Sequence, residues 1–171
     1  MSDWWNLSKT AAQTAVFWTV FLAILPWAIH SLETSSGLAN FASNLGWRSG
    51  GALLIGASCL GLWSGYTMAK EGHGTPLPLD CPRRLVTDGP YAYVRNPMAI
   101  AGLSQGAAVG VMIGSWGVLA YVAIGAVIWH LGVRPLEEAH LAEMFGNQYT
   151  SYRRSVRCWA PRLSPYTPDG A

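Results

Sequence analysis

Three stretches of this chain carry no Asp, Glu, Lys or Arg: Thr10 to Leu32, Ser49 to Ala69, and Asn96 to Val133. Nothing else in the sequence constrains the fold as much. A helix needs about 20 apolar residues to cross a bilayer, and backbone placed there must satisfy its own hydrogen bonds. The first two stretches hold one span each. The third is 38 residues long and is interrupted near its middle by Gly114, Ser115, Trp116 and Gly117, which suit a tight turn between two spans. The sequence therefore predicts an all-α polytopic membrane protein with four transmembrane helices, over residues 11–30, 49–69, 97–113 and 116–133. Composition agrees, since 12% of residues are charged where a soluble domain has about a quarter.

The first ten residues contain Asp3, Trp4 and Trp5 and lack the basic start of a secretory signal, so the first span is read as retained. Trp4, Trp5, Trp27 and Trp47 flank spans and suit interfacial anchors. With four spans, Lys9, Lys70, Arg83, Arg84, Arg95, Arg134, Arg153, Arg154, Arg157 and Arg162 share one side, and Arg48 falls on the other. The positive-inside rule then predicts cytoplasmic termini and a cytoplasmic 70–95 loop in an inner or plasma membrane. A net charge of +2 gives no argument for nucleic acid, and its clustering fits topology and anionic headgroups of membrane lipids. Cys59, Cys81 and Cys158 are odd in number and widely spaced, which indicates neither a disulfide framework nor a metal site.

Gly102, Gly106, Gly110 and Gly114 recur at every fourth position of the third span and mark a face for close helix packing, or a groove for a lipid or cofactor tail. Gln105 beside them suits an interhelical hydrogen bond. The 70–96 loop is stiffened by Gly72, Gly74, Pro76, Pro78, Pro82, Gly89 and Pro90, as binding loops often are. After the fourth span, His130, Arg134, Glu137, Glu138 and Leu141 share one helix face. Pro135 should bend that helix near Leu131. Gly146 reads as a helix stop, and residues 148–157, with Tyr149, Tyr152 and Val156 on one side, read as a C-terminal cytoplasmic interfacial helix. A disordered tail is expected over 164–171, beyond a single domain of residues 1–163. Carboxylates, arginines and aromatic walls at one boundary suit a zwitterionic ligand with a ring.

The run from Gly72 to Met98, with Arg83-Arg84-Leu85-Val86-Thr87-Asp88-Gly89-Pro90-Tyr91 and Arg95-Asn96-Pro97 inside it, resembles the signature of the isoprenylcysteine carboxyl methyltransferase and phospholipid methyltransferase group. Glu137-Glu138, Leu141, Phe145-Gly146, Tyr149, Tyr152 and Pro161 resemble its C-terminal half in order and spacing. That resemblance implies an integral membrane enzyme transferring a methyl group from S-adenosylmethionine to a lipid or lipid-linked acceptor, with S-adenosylhomocysteine as product. It implies two cofactor-binding segments, 72–98 and 134–161. Arg84, Leu85, Val86, Gly89, Tyr91, Arg95 and Asn96 would line the cofactor, and Glu137 and Glu138 would hold its polar end. Arg134 and Asn96 would serve the reaction itself. Asn96 stands where many relatives have histidine, and Ala99 where an aromatic residue is common. Two other readings are a nicotinamide-dependent membrane reductase with a related helical core and a non-catalytic membrane subunit.

Overall fold

The computed structural model of the chain describes residues 3–72 and 83–168, with side chains from Ser8 onward. His73, Gly74, Pro76, Pro78, Cys81, Pro82 and the side chains of Trp4 and Trp5 lie outside the described residues. Within them the chain is all helix and turn, with no strand. Helix α1 (Asp3–Trp18) passes through a π-helical turn (Thr19–Ile24) into α2 (Leu25–Ser35). Helix α3 is Asn44–Glu71 and α4 is Pro97–Ile113. Helix α5 (Trp116–Ile128) passes through a second π-helical turn (Trp129–Val133) into α6 (Arg134–Ser155). Each π turn stands just before a proline, Pro26 or Pro135. Proline has no N–H for the carbonyl four residues back, and a widened turn accommodates that loss without ending the helix. The disturbance predicted at Leu131 is thus present, but the backbone is helical at Ile128 and Arg134 on either side and the rod runs on.

Three helical rods are long and apolar enough to cross a membrane: Ser8–Ser35, Asn44–Glu71 and Trp116–Ser155. Helix α4 has 17 residues, about 25 Å at 1.5 Å per residue. It lies between α3 and α5, with α1 packed on α3 and α2 on α5. Small residues allow this. A Cβ on Gly50 of α3 would lie 2.8 Å from the Ala108 carbonyl oxygen and 2.5 Å from Met112 Cγ. On α4, Gly106 and Gly110 receive Val122 and Leu119 of α5, whereas Gly102 faces open space. The glycine stripe therefore packs over part of its length: Gly106 and Gly110 against α5 and Gly114 against the backbone of Ala42, while α3 approaches α4 through its own Gly50. Gln105, buried, donates from Nε2 to Ser58 Oγ at 3.0 Å, the interhelical bond its position predicts.

The turn between α4 and α5 sits at one end of the bundle. Gly114 caps α4 in the left-handed region (φ 68°), and its carbonyl accepts from Phe41 N at 2.9 Å. Ser115 caps α5 by accepting from Val118 N at 3.1 Å. Above that cap lies Glu33, buried, whose Oε1 accepts from Trp116 N (3.1 Å) and Gly117 N (3.3 Å) while Ser115 Oγ donates to Oε2. An anion at a helix N-terminus meets unpaired N–H groups and the positive end of the dipole. Nothing in the sequence singled out Glu33.

Gly50→Ala should lower stability by about 1–3 kcal/mol through overpacking against α4. Gly51→Ala, where a Cβ meets nothing within 4 Å, should leave it unchanged or raise it by up to about 1 kcal/mol, because alanine favours the helix. Thermal unfolding of the two variants in detergent makes the comparison.

Candidate functional site

The other end of the bundle is built by the turn leading into α4. A 3₁₀ turn (Gly89–Ala92) places Gly89 at φ 55°, so close to α3 that a Cβ would stand 2.9 Å from Thr67 Oγ1. Glycine is required there for both conformation and space. Val86, Tyr91, Ala92 and Val94 are buried around it, and Pro97 begins α4.

The C-terminal residues lie along this turn and tie it down. Arg95 N donates to the Arg157 carbonyl (3.0 Å), Arg162 N to the Tyr93 carbonyl (2.9 Å) and Tyr166 N to the Ala92 carbonyl (2.9 Å). Asn96 Nδ2 donates to Cys158 Sγ at 3.1 Å, and Trp159 Nε1 to His130 Nδ1 at 3.0 Å. His130 is thus a packed histidine whose Nδ1 accepts. The expectation of a disordered tail from residue 164 is corrected as far as Tyr166, whose ring also meets Tyr152 edge-on at 5.3 Å.

Helix α6 changes direction at Gly146, where φ 50° and ψ −121° leave helical geometry. Residues 138 and 153 would be about 22 Å apart along a straight helix, yet their side chains meet at 3.3 Å. The limb beyond Gly146 buries Tyr149, Tyr152 and Val156 against Leu85, Leu141, Ala142, Phe145 and Tyr166. The apolar side of the limb expected to lie at the membrane interface is thus covered by the protein itself. Amphipathic spacing shows that a face is apolar but not whether lipid or protein covers it.

At the centre is Glu138, 6% exposed. Its Oε1 accepts from Arg95 at 3.0 Å and is 3.8 Å from Arg134, and its Oε2 is 3.3 Å from Arg153. Arg95 is also 3.4 Å from the Tyr149 hydroxyl, and its Nε is buried with no partner among the described residues. Arg134 donates from Nε to the His130 carbonyl at 3.3 Å. Tyr152 donates its hydroxyl to the Tyr91 carbonyl at 2.7 Å. Glu137 differs from its neighbour. It is exposed, yet surrounding protein raises its carboxyl above the usual range, with Glu138 adding like-charge repulsion. Burial, then Tyr152 and Glu137, pushes the Tyr91 phenol up, so it stays neutral.

Of the residues predicted for the site, Arg95, Arg134 and Glu138 form one cluster, Tyr91 and Glu137 adjoin it, and Asn96 is held beside it by Cys158. Leu85 and Val86 pack beneath, Gly89 supports the turn, and Arg84 points outward, exposed. Arg153, Tyr149 and Cys158 were missed. The signal for Arg153 was the possible helix stop at Gly146, seven residues before it. Two open concavities lie elsewhere, of about 320 Å³ between α1 and α3 (Thr10, Trp18, Gly61, Tyr66) and about 460 Å³ beside Glu33 (Ile29, Trp116). Neither includes a residue of the cluster.

A helical membrane bundle with a charged cluster formed by a turn and a helix end defines the class of protein. The chain belongs to the phospholipid methyltransferase family, whose model matches residues 47–148. It is 32% identical over 81 residues to protein-S-isoprenylcysteine O-methyltransferase of Schizosaccharomyces pombe, covering 46% of this chain and 34% of that protein. It is 33% identical over 82 residues to the cobalt-zinc-cadmium resistance protein CzcN of Cupriavidus metallidurans, covering 48% of this chain and 38% of that protein. The chain thus spans just over a third of the length of these curated relatives. No solved structure matches it.

Tyr152→Phe should cost about 1–3 kcal/mol, the penalty of leaving the buried Tyr91 carbonyl without its donor, read by denaturant titration. Because the Glu137 carboxyl is raised, its contribution is fully present below the ordinary glutamate value of about 4.3 and is lost as pH rises through the folded-state value. Glu137→Gln should therefore flatten the fall in melting temperature over that window.

Proposed function

We propose that this chain is an S-adenosylmethionine-dependent methyltransferase with four spans, both termini and the charged cluster at the cytoplasmic face, acting on a lipid-borne acceptor. The observation that carries the reading is the Arg95–Glu138 pair, buried on both sides (10% and 8% exposed side chains). It joins the two segments that carry the family signature at the end of the bundle where the arginines gather. Helix α4 is the shortest proposed span, and its enclosure between α3 and α5 together with its lack of any charge supports that assignment.

The residues present fit the methyl donor. Arg95 Nε is a buried donor without a partner, Glu137 is an open carboxylate, and Tyr91 supplies a neutral aromatic wall. Such a set suits a ligand with carboxylate, ammonium and ring. When bound, the sulfonium supplies a methyl on an activated leaving group. The chain's task is alignment and exclusion of water, and alignment alone is worth about 7–11 kcal/mol. Arg95 and Arg134 would hold the carboxylate, and Glu137 and Tyr91 the remaining polar and ring parts. Arg84, Leu85, Val86 and Gly89 shape the turn that carries Tyr91. Asn96 stands at the start of α4, at the edge of the apolar spans where a lipid-borne acceptor would arrive; with Arg134 it is proposed to face the reacting atoms.

The isoprenylcysteine methyltransferase relative acts, by its name, on a prenylated cysteine, which supports an acceptor on a lipophilic anchor. Purified protein should bind S-adenosylhomocysteine by calorimetry, and lipid extracts made with and without the gene should contain a species differing by one methyl for hydrogen, about 14 daltons. Binding of NADPH in place of S-adenosylhomocysteine would sink the reading.

A further inference from the structure

Adjacent acids at positions 137 and 138 invite the view that both hold the ligand. Their surroundings differ too much for that. Glu138 is buried with both carboxylate oxygens occupied by arginines, Arg95 and Arg134 on Oε1 and Arg153 on Oε2. Glu137 is exposed and makes no hydrogen bond or ion pair among the described residues. One helical step, about 100°, separates the two side chains, which is enough to turn one into the cluster and leave the other exposed.

Charge within the cluster does not balance. Three guanidinium groups share one carboxylate, and the most buried of them, Arg95, keeps its Nε unpaired. A buried donor without a partner is costly, and surplus cationic charge in a partly desolvated place is a receptor for an anion. Arg153 reaches the cluster only because α6 turns at Gly146. It is therefore part of this receptor despite its distance in sequence from the acidic pair.

We propose that the acidic pair divides its work: Glu138 is a positioning residue that gathers Arg95, Arg134 and Arg153 into a receptor for a carboxylate, and Glu137 alone binds the ligand's ammonium. This rests on the proposed methyl-donor reading, and it places the amino-acid end of that donor against α6.

Three probes separate the roles in calorimetry on the full chain in detergent: S-adenosylhomocysteine, its decarboxylated analogue, and methylthioadenosine, which lacks the whole amino-acid end. Glu137→Gln should weaken the first two by about tenfold or more, the effect of a lost hydrogen bond to a charged group, and leave methylthioadenosine unchanged. Glu138→Gln should weaken S-adenosylhomocysteine while leaving both truncated probes unchanged; a merely structural role would weaken all three together. Arg153→Gln, altering a side chain that is 54% exposed, gives the same selective loss in smaller measure without emptying the buried position. The division is overturned if Glu137→Gln binds S-adenosylhomocysteine within twofold of wild type, or if Glu138→Gln and Arg153→Gln weaken methylthioadenosine as much as the full ligand. Wild-type protein that binds none of the probes would overturn the methyl-donor reading, and the division with it.

Discussion

A carboxylate can be buried as an anion only where cations or hydrogen-bond donors come to it, since losing hydration costs several kcal/mol per ion. Glu138 meets that condition with arginines from three places: Arg95 from the turn before α4, Arg134 one helical turn earlier on α6, and Arg153 from beyond Gly146. Each arginine brings its segment with it. The 89–96 turn is thereby held against α6, and the two limbs of α6 against each other. The tyrosines complete the arrangement, Tyr149 sharing Arg95 and Tyr152 satisfying the Tyr91 carbonyl. Removing Glu138 would leave three cations in mutual repulsion, so the placement of the three guanidinium groups follows from one side chain, while main-chain bonds and Tyr152 still hold the turn.

The opposite end is fixed by a second buried acid used in another way. Among the described residues, the basic side chain nearest Glu33 is His30 at 3.8 Å. Backbone N–H groups at the start of α5 and the Ser115 hydroxyl satisfy it instead. The rod formed by α5 and α6 is therefore anchored near both extremities, by helix-terminal donors at one and by arginines at the other. Between these anchors α4 has no charge at all, and its association depends on fit. In an apolar medium there is little hydrophobic gain in bringing helices together, so close packing and a few polar ties must suffice. Gly50, Gly106 and Gly110 supply the fit, and Gln105 with Ser58 the tie.

Much of this was legible in the sequence because charge exclusion and glycine spacing have direct physical consequences. The uncharged runs became helices, Gly114 and Ser115 became the turn, and Gln105 found its interhelical partner. Arg95, Arg134 and Glu138 came together as their motifs implied. The remainder depended on information that spacing does not carry. Glu33 looked like the charged boundary of an apolar run, since its partners are mainly backbone groups at a remote helix start. Tyr149, Tyr152 and Val156 showed an apolar face whose cover, protein instead of lipid, is decided by the turn at Gly146. The docking of Arg162 and Tyr166 uses main-chain N–H groups, which every residue except proline possesses and no side-chain pattern announces. The turn residues Gly114 to Gly117 also marked the end of α4, which stops at Ile113 after 17 residues, while three rods reach the length of a span.

The same physics accounts for where the chemistry would be done. Irregular backbone and clustered charge are excluded from lipid-exposed hydrocarbon, so a charged receptor has to be assembled at the end of the bundle from whatever follows or precedes the apolar helices. The segments used are the turn entering α4 and the helix leaving α5, and α4 and α5 are also the neighbours joined by the short turn at the far end. A single helical hairpin thus carries both halves of the charged cluster on its open ends, while its closed end is pinned by Glu33. Small shifts in the packing of α4 against α5 would move Asn96 relative to Arg134 directly. Tight glycine-mediated packing in the spans and accurate placement of polar groups at the boundary are therefore one requirement met by the same pair of helices.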